Sequence, residues 1–292
     1  MNEPSDSYTR HAAHFERVYD LDDPSPYFNT IGPADYRMPV ALAGALKAMH
    51  GPLCALRGAG EPLRVLDFAC GYGAIGALLR HDLSMAALYA RYRARQWQPA
   101  DGRRYWADDI AFFAGLRAET AAFEIGGVDI AGNAVAYAAA LGFVDRAFPE
   151  NLVDDAPSDE LAHFLDGVHL VVESGALGVL LPVAFARVLD CAGDESPPWF
   201  LYCPRPDVNW SALETLWAER GYRTESFLGA PVRYRKPLEA QERADMLRRA
   251  RGFGKPDEAI MQDGYFLVDM TLARPEADVD NPPIAQLRKR YG

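Results

Sequence analysis

The feature that most constrains this chain is the passage from residue 63 to residue 76. Leu63-Arg-Val-Leu-Asp-Phe-Ala-Cys70 is a strand pattern that runs straight into Gly71-Tyr-Gly-Ala-Ile-Gly76, and a helical stretch follows. A strand, a glycine turn and a helix in that order open a parallel α/β sheet. Gly71, Gly73 and Gly76 match a GxGxxG spacing. The missing Cβ atoms let backbone approach a ligand, and the following helix N-terminus offers unpaired N–H groups to a polar or anionic group. Two nucleotide-dependent enzyme classes use this device, so the turn alone does not separate them.

The alternation continues downstream. Phe123 to Ile130 reads as a strand ending at Asp129, and Asn133 to Leu141 as an Ala-rich helix stopped by Gly142. A third strand over Arg146 to Glu150 belongs at a sheet edge, because Pro149 cannot donate to a ladder. Ser158 to Asp166 and Leu180 to Cys191 read as helices, and Val168 to Glu173 and Trp199 to Cys203 as strands. Ser211 and Glu214 form a capping-box pattern for a helix with Leu213, Leu216 and Trp217 on one face and Gly221 as its stop. Tyr222 to Leu228 and Tyr265 to Leu272 are the last strands, separated by a charged helical stretch from Leu238 to Arg251.

These elements predict an α/β chain: a Rossmann-like, doubly wound, mostly parallel seven-stranded sheet with an antiparallel last strand. Residues 1–60 form a helical N-terminal segment, with a helix from Pro39 to Met49, that is a candidate lid. The main domain spans 61–275 with a helical insert at 82–122 and a second insert at 229–262, and 276–292 is a tail.

Two acids refine the reading. A dinucleotide enzyme places its ribose acid about 20 residues past the glycines, whereas the next strand-terminal acid here, Asp129, lies roughly 50 residues on. Asp67 sits inside the first strand, four residues before Gly71. A carboxylate there can hold a cationic amino group, which suits an amino-acid-bearing nucleoside better than a dinucleotide.

Val65-Leu66-Asp67-Phe68-Ala69-Cys70-Gly71-Tyr72-Gly73 resembles the first motif of the class I S-adenosylmethionine-dependent methyltransferase superfamily. The resemblance extends to Gly127-Val-Asp-Ile130 with the Asn133 to Gly142 helix, and to Val168 through Gly175, covering roughly residues 63–272 without the inserts. It implies S-adenosyl-L-methionine as cofactor, with Asp67, Ala69, Gly71 and Gly73 around the methionyl part. It also implies Asp129 on the ribose hydroxyls and Ile130 against the adenine. Asn151 and Leu152 follow the third strand, where adenine contacts are implied, although the stretch departs from the usual Gly-Asp-Ala type of pattern.

A sulfonium methyl is already activated, so the protein chiefly aligns donor and nucleophile and excludes water. Glu173, ending the fourth strand in Glu-Ser-Gly-Ala-Leu177, is the candidate for orienting or deprotonating the acceptor, against cofactor contact or helix capping. The segment lacks the Asp/Asn-Pro-Pro-Tyr pattern of amino-nucleobase methyltransferases. Tyr27, Phe28, Tyr36 and Arg37 sit where a lid would lie, with Tyr27 and Arg37 as candidate cofactor contacts. Arg91, Arg93, Arg95, Trp97, Arg103, Arg104, Tyr105 and Trp106 in the first insert suit an acidic or aromatic acceptor, single-stranded nucleic acid, or packing on the domain or a second subunit. His169 reads as a core residue, and His11 and His14, three apart, as solvated surface.

The net charge of -11 gives no pull toward phosphate backbones or anionic lipid, which argues against nucleic acid and membrane partners and for a small-molecule substrate. The polar N-terminus and the lack of an uninterrupted apolar run long enough for a bilayer predict a cytoplasmic protein. Cys54, Cys70, Cys191 and Cys203 show no zinc-ligand spacing, so no metal is expected. Methyl transfer to a small O, N or C nucleophile is the main expectation, and a homodimer is left open. A catalytically silent scaffold with this fold and a nicotinamide-dependent oxidoreductase are the alternatives.

Overall fold

The structure, a computed structural model, describes residues 18–58, 62–118, 122–176, 178–193 and 196–291. His11, His14 and Leu177 lie outside the described residues. The strands are β1 Leu63–Phe68, β2 Phe123–Val128, β3 Arg146–Phe148, β4 Leu170–Glu173, β5 Trp199–Tyr202, β6 Tyr222–Ser226, β7 Val232–Arg233, β8 Met261–Gln262, β9 Tyr265–Val268 and β10 Thr271–Pro275. Seven form one sheet in the order β3-β2-β1-β4-β5-β10-β6, in which β10 runs antiparallel to both neighbours. This is the doubly wound, mostly parallel sheet with an antiparallel last strand expected from the sequence, and β3 with its following Pro149 is at the edge.

Alternation along each strand supplies a core on either face of the sheet. Val65, Ile125, Leu170 and Leu201 point into one core, and Leu66, Val128, Val171 and Phe200 into the other. With both faces covered, the central strands read as continuous apolar runs. The parallel register sets Asp67 beside Gly127 of β2 and Val172 of β4, so the carboxyl ends of three strands meet at one rim. Gly76 is required by close approach: a Cβ there would strike the backbone carbonyl of Phe143, so the helix Ala74–Arg80 can lie tight against the chain entering β3 only as glycine.

Three expectations are corrected. The run Tyr265 to Leu272 is two strands, β9 and β10, parting at Asp269-Met270, where the Asp269 carboxylate accepts from the Ser226 hydroxyl at 2.7 Å. β9 leaves the main sheet and joins a three-stranded sheet, β7-β9-β8; both strands are buried, so the apolar pattern hides the change of sheet. The capping box does not form: Ser211 is already helical, Trp210 is the cap, and Asn209 Oδ1 instead accepts from Ser211 N at 3.0 Å.

The third correction concerns the N-terminal helix, which spans Met38–Arg57 and is long and apolar enough to cross a membrane by length and composition. Met38, Leu42, Leu46, Met49 and Leu53 are fully buried in the first core, so its apolar face is spent on packing.

The first insert packs on the domain. Its helices Met85–Arg93 and Trp106–Ala114 are joined through Asp109, fully buried, which accepts from Arg91 at 2.7 Å, Arg95 at 2.6 Å and the Tyr137 hydroxyl at 2.7 Å. Arg103 lies 4.3 Å over the Trp106 ring, and the Trp106 indole donates to the Asp22 carbonyl at 2.5 Å. Of the three readings of this basic and aromatic mixture, the structure carries the packing one.

Candidate active site at the carboxyl ends of the strands

A cavity of about 550 Å³ opens where β1, β2, β4 and β5 end. This is the rim at which open α/β sheets bind ligands. Asp67 and Ala69 line it from β1 and its turn, Asp129 and Ile130 from β2, Asn151 and Leu152 from the loop after β3, and Ser174 to Ala176 from the loop after β4. Tyr19, Tyr27 and Tyr36 close it from the N-terminal segment. Of the residues predicted from sequence, Asp67, Ala69, Asp129, Ile130, Asn151, Leu152 and Tyr27 are therefore brought together.

Asp67 is the most unusual group in the site. It is 1% exposed, and neither carboxylate oxygen has a hydrogen-bond partner among the described residues. Burial, then the neighbouring Asp129 and Glu173, push its carboxyl well above the usual range. An unpaired buried carboxylate costs several kcal/mol, of the order of ~2–7 for a polar group and more when charged, so Asp67 is held neutral by its proton unless a cation from outside the fold pairs it.

Asp129 is held firmly. Its Oδ1 accepts from Ala131 N at 2.9 Å, and its Oδ2 accepts from Gly71 N at 2.8 Å and from the Tyr19 hydroxyl at 3.0 Å. Burial raises its carboxyl, and the two backbone amides and Tyr19 oppose that shift. Gly71 has φ of 50°, and a Cβ there would lie 2.5 Å from the Tyr19 hydroxyl, so the tyrosine rests directly on the glycine turn. Ala69, with φ of 56°, carries a left-handed backbone that glycine would adopt more readily, a local strain of about 1–3 kcal/mol at the lining of the site.

Ile130 is 71% exposed, an apolar side chain left open at the rim. Asn151 is engaged in its own turn: Oδ1 accepts from Val153 N at 2.9 Å, and the amide donates to Asp154 at 2.7 Å. Leu152 is buried beneath it.

Four predicted residues are outside the cavity lining: Gly71 and Gly73 of the turn, Arg37 and Glu173. Arg37 is outside the cavity lining, drawn off by its ion pair with Asp35 at 2.6 Å and by the Tyr265 ring 4.6 Å beneath it. Glu173 is also absent from the lining. Its carboxylate accepts from the backbone N–H groups of Gly175 and Ala176, and from Cys203 N at 3.3 Å. Burial raises its carboxyl to about 7 against the pull of those amides. A carboxylate engaged by three backbone donors is a clamp between the ends of β4 and β5 rather than a free base. Gly73 supports the turn from behind, packed on Ala138 and Phe143.

Sequence reasoning missed the far wall. Arg205, from the Pro204-Arg-Pro206 turn, lines the cavity with Tyr234, Arg235, Glu242, Asp245 and Arg249 from the second insert. The only signal available was the Pro-Arg-Pro turn at a strand end.

No family model matches the chain, and no curated protein does. Among solved structures, it is similar to a TehB-like SAM-dependent methyltransferase from Corynebacterium glutamicum (16% identity, 79% of this chain and 89% of that one, TM-score 0.38). It is also similar to magnesium protoporphyrin IX methyltransferase from Synechocystis with bound SAM (10% identity, 94% and 100% covered, TM-score 0.43). A third is the plantazolicin methyltransferase in complex with SAH (11% identity, 92% and 99% covered, TM-score 0.41).

Proposed function

We propose that the protein transfers a methyl group from S-adenosyl-L-methionine to a small-molecule acceptor. The observation that carries this reading is Asp67: a buried carboxylate with neither oxygen paired, at the rim of the sheet, beside a glycine turn and a strand-terminal Asp129. An ammonium group would pair it, and the aminoacyl end of this cofactor carries one. Asp129 suits the ribose hydroxyls, and the exposed Ile130 suits the adenine face.

When bound, the cofactor supplies an electrophilic methyl group for in-line displacement. The chain's own part is positioning and exclusion of water. Tyr27 and Tyr36 wall the cavity, and Glu173 acts as a positioning residue that fixes Ser174 to Ala176 at its edge. A dinucleotide would leave Asp67 unpaired, which disfavours the oxidoreductase, and a silent scaffold gains nothing from an uncompensated buried carboxylate.

Calorimetric titration with S-adenosylhomocysteine and with NADH, alongside Asp129→Ala, tests the reading. The first ligand alone should bind, and the substitution should abolish it. Binding of NADH alone, or of neither ligand by a folded sample, would refute it.

A further inference from the structure

Asp67 sits where no donor among the described residues reaches either carboxyl oxygen. Its partners in register are Gly127 of β2, which has no side chain, and Val172 of β4, which is apolar and fully buried. The titratable groups around it are acids or neutral. Asp129 faces it from the end of β2 and Glu173 from the end of β4, and no cation acts on it. Asp129 accepts from two backbone N–H groups and from the Tyr19 hydroxyl of the N-terminal segment. Glu173 accepts from three backbone N–H groups. The Cys70 thiol packs over Gly127, and burial, then Asp67 and Asp129, push it up, so it stays protonated. Asp67 alone of the three acids borders the cavity with neither oxygen engaged.

We propose that Asp67 carries its proton until the ammonium of the cofactor's aminoacyl end pairs it, so that cofactor binding expels one proton from this carboxyl to the solvent and the site selects nucleosides that bear an ammonium group. This deepens the methyl-transfer reading and rests on it for the cofactor. The ammonium keeps its three hydrogens and the carboxyl loses one. The buried pair is then neutral overall, as the protonated carboxyl was, and adds no net charge beside Asp129 and Glu173. Two opposite charges in hydrogen-bond contact offset the burial of each, whereas a lone anion there has nothing to offset it. A nucleoside without an ammonium leaves the proton where it is. Cofactor affinity therefore rises with pH, by up to about tenfold per unit, for as long as the ligand-free carboxyl stays protonated.

The full chain is titrated by calorimetry with S-adenosylhomocysteine at about pH 6, below the titration of the ligand's own amine, in phosphate and in imidazole. The two buffers differ in ionisation enthalpy, so the difference in observed heat counts protons, and more than about half a proton should be released per ligand bound. Adenosine, which has the base and ribose but no ammonium, should bind with no release. Asp67→Asn should bind S-adenosylhomocysteine more weakly and release nothing. Glu173→Gln should keep the release, which separates it from the other carboxyl that titrates near this pH. From about pH 5.5 to 6.5 the parent's affinity should rise roughly three- to tenfold while that of Asp67→Asn stays level. Equal heats in the two buffers, or a release that survives Asp67→Asn, would overturn the proposal; with S-adenosylhomocysteine still bound, the methyl-transfer reading stands. A folded protein that ignores S-adenosylhomocysteine would remove that reading and the proposal together.

Discussion

Tyr19 donates its hydroxyl to Asp129 Oδ2 at 3.0 Å, the same oxygen that accepts from Gly71 N at 2.8 Å. The N-terminal segment thus lies on the carboxylate assigned to the ribose and on the glycine turn together. A nucleoside that uses Asp129 must displace this hydroxyl. Tyr19→Phe removes the competing hydrogen bond, worth about 1 kcal/mol, and should tighten S-adenosylhomocysteine binding about fivefold by calorimetry. Unchanged or weaker binding would show that Tyr19 does not compete.

Asp67→Asn should have opposite effects on the two states of the protein. A carboxyl raised by burial favours the protonated fold, so stability is present below its ordinary range and is lost as pH rises through the raised value. The amide removes that loss, and the ligand-free variant should have a higher urea midpoint at neutral pH than the parent. It should also weaken S-adenosylhomocysteine by at least about thirtyfold, from the ~2 kcal/mol or more that follows loss of one partner in a buried charge pair. A variant that binds as well as the parent would remove the ammonium contact.

Glu173 predicts a pH dependence of stability. Its carboxyl rises from the ordinary value of 4.5 to about 7, so its share of stability is complete below about pH 4.5 and is lost as pH climbs through about 7. That share amounts to about 3 kcal/mol. Urea unfolding at intervals from pH 4.5 to 7.5 should show Glu173→Gln declining less steeply than the parent; parallel curves would contradict the buried clamp.

Asp109 joins Arg91 and Arg95 of the first insert to Tyr137 of the helix Gly132–Ala140, and none of the four lines the cavity. Asp109→Ala leaves Arg91 without its carboxylate and Arg95 with Asp23 alone, and should cost about 3 kcal/mol of stability. Affinity for S-adenosylhomocysteine, measured on the folded fraction at low temperature, should not change. A loss of affinity without loss of stability would return the insert to the binding site.

The near half of the site was legible because it is local. The strand, the glycine turn and Asp67 lie within fourteen residues, 63–76, and Asp129 ends the next strand of the same sheet, so periodicity and turn chemistry carry them together. The far half is tertiary. Arg205 and Arg249 share Asp207 across 42 residues, and no spacing rule announces that a second insert folds back over the rim. Glu173 shows the same limit, since its identity suggested a base while its partners, among them Cys203 N thirty residues on, make it a clamp. Arg37 read as a lid cation, but an aspartate two positions away holds it outside the cavity. Tyr265 to Leu272 read as one strand because both halves are buried, though in different sheets.

The central claim is that Asp67 and Asp129 together hold the two ends of S-adenosyl-L-methionine, and a crystal structure of the protein grown with S-adenosylhomocysteine tests it most directly. The account predicts the ligand's amino nitrogen within hydrogen-bond distance of an Asp67 oxygen, its ribose hydroxyls on Asp129, and the Tyr19 hydroxyl moved off Oδ2. A nucleoside bound elsewhere, with Tyr19 still on Asp129 and Asp67 still unpaired, would contradict it.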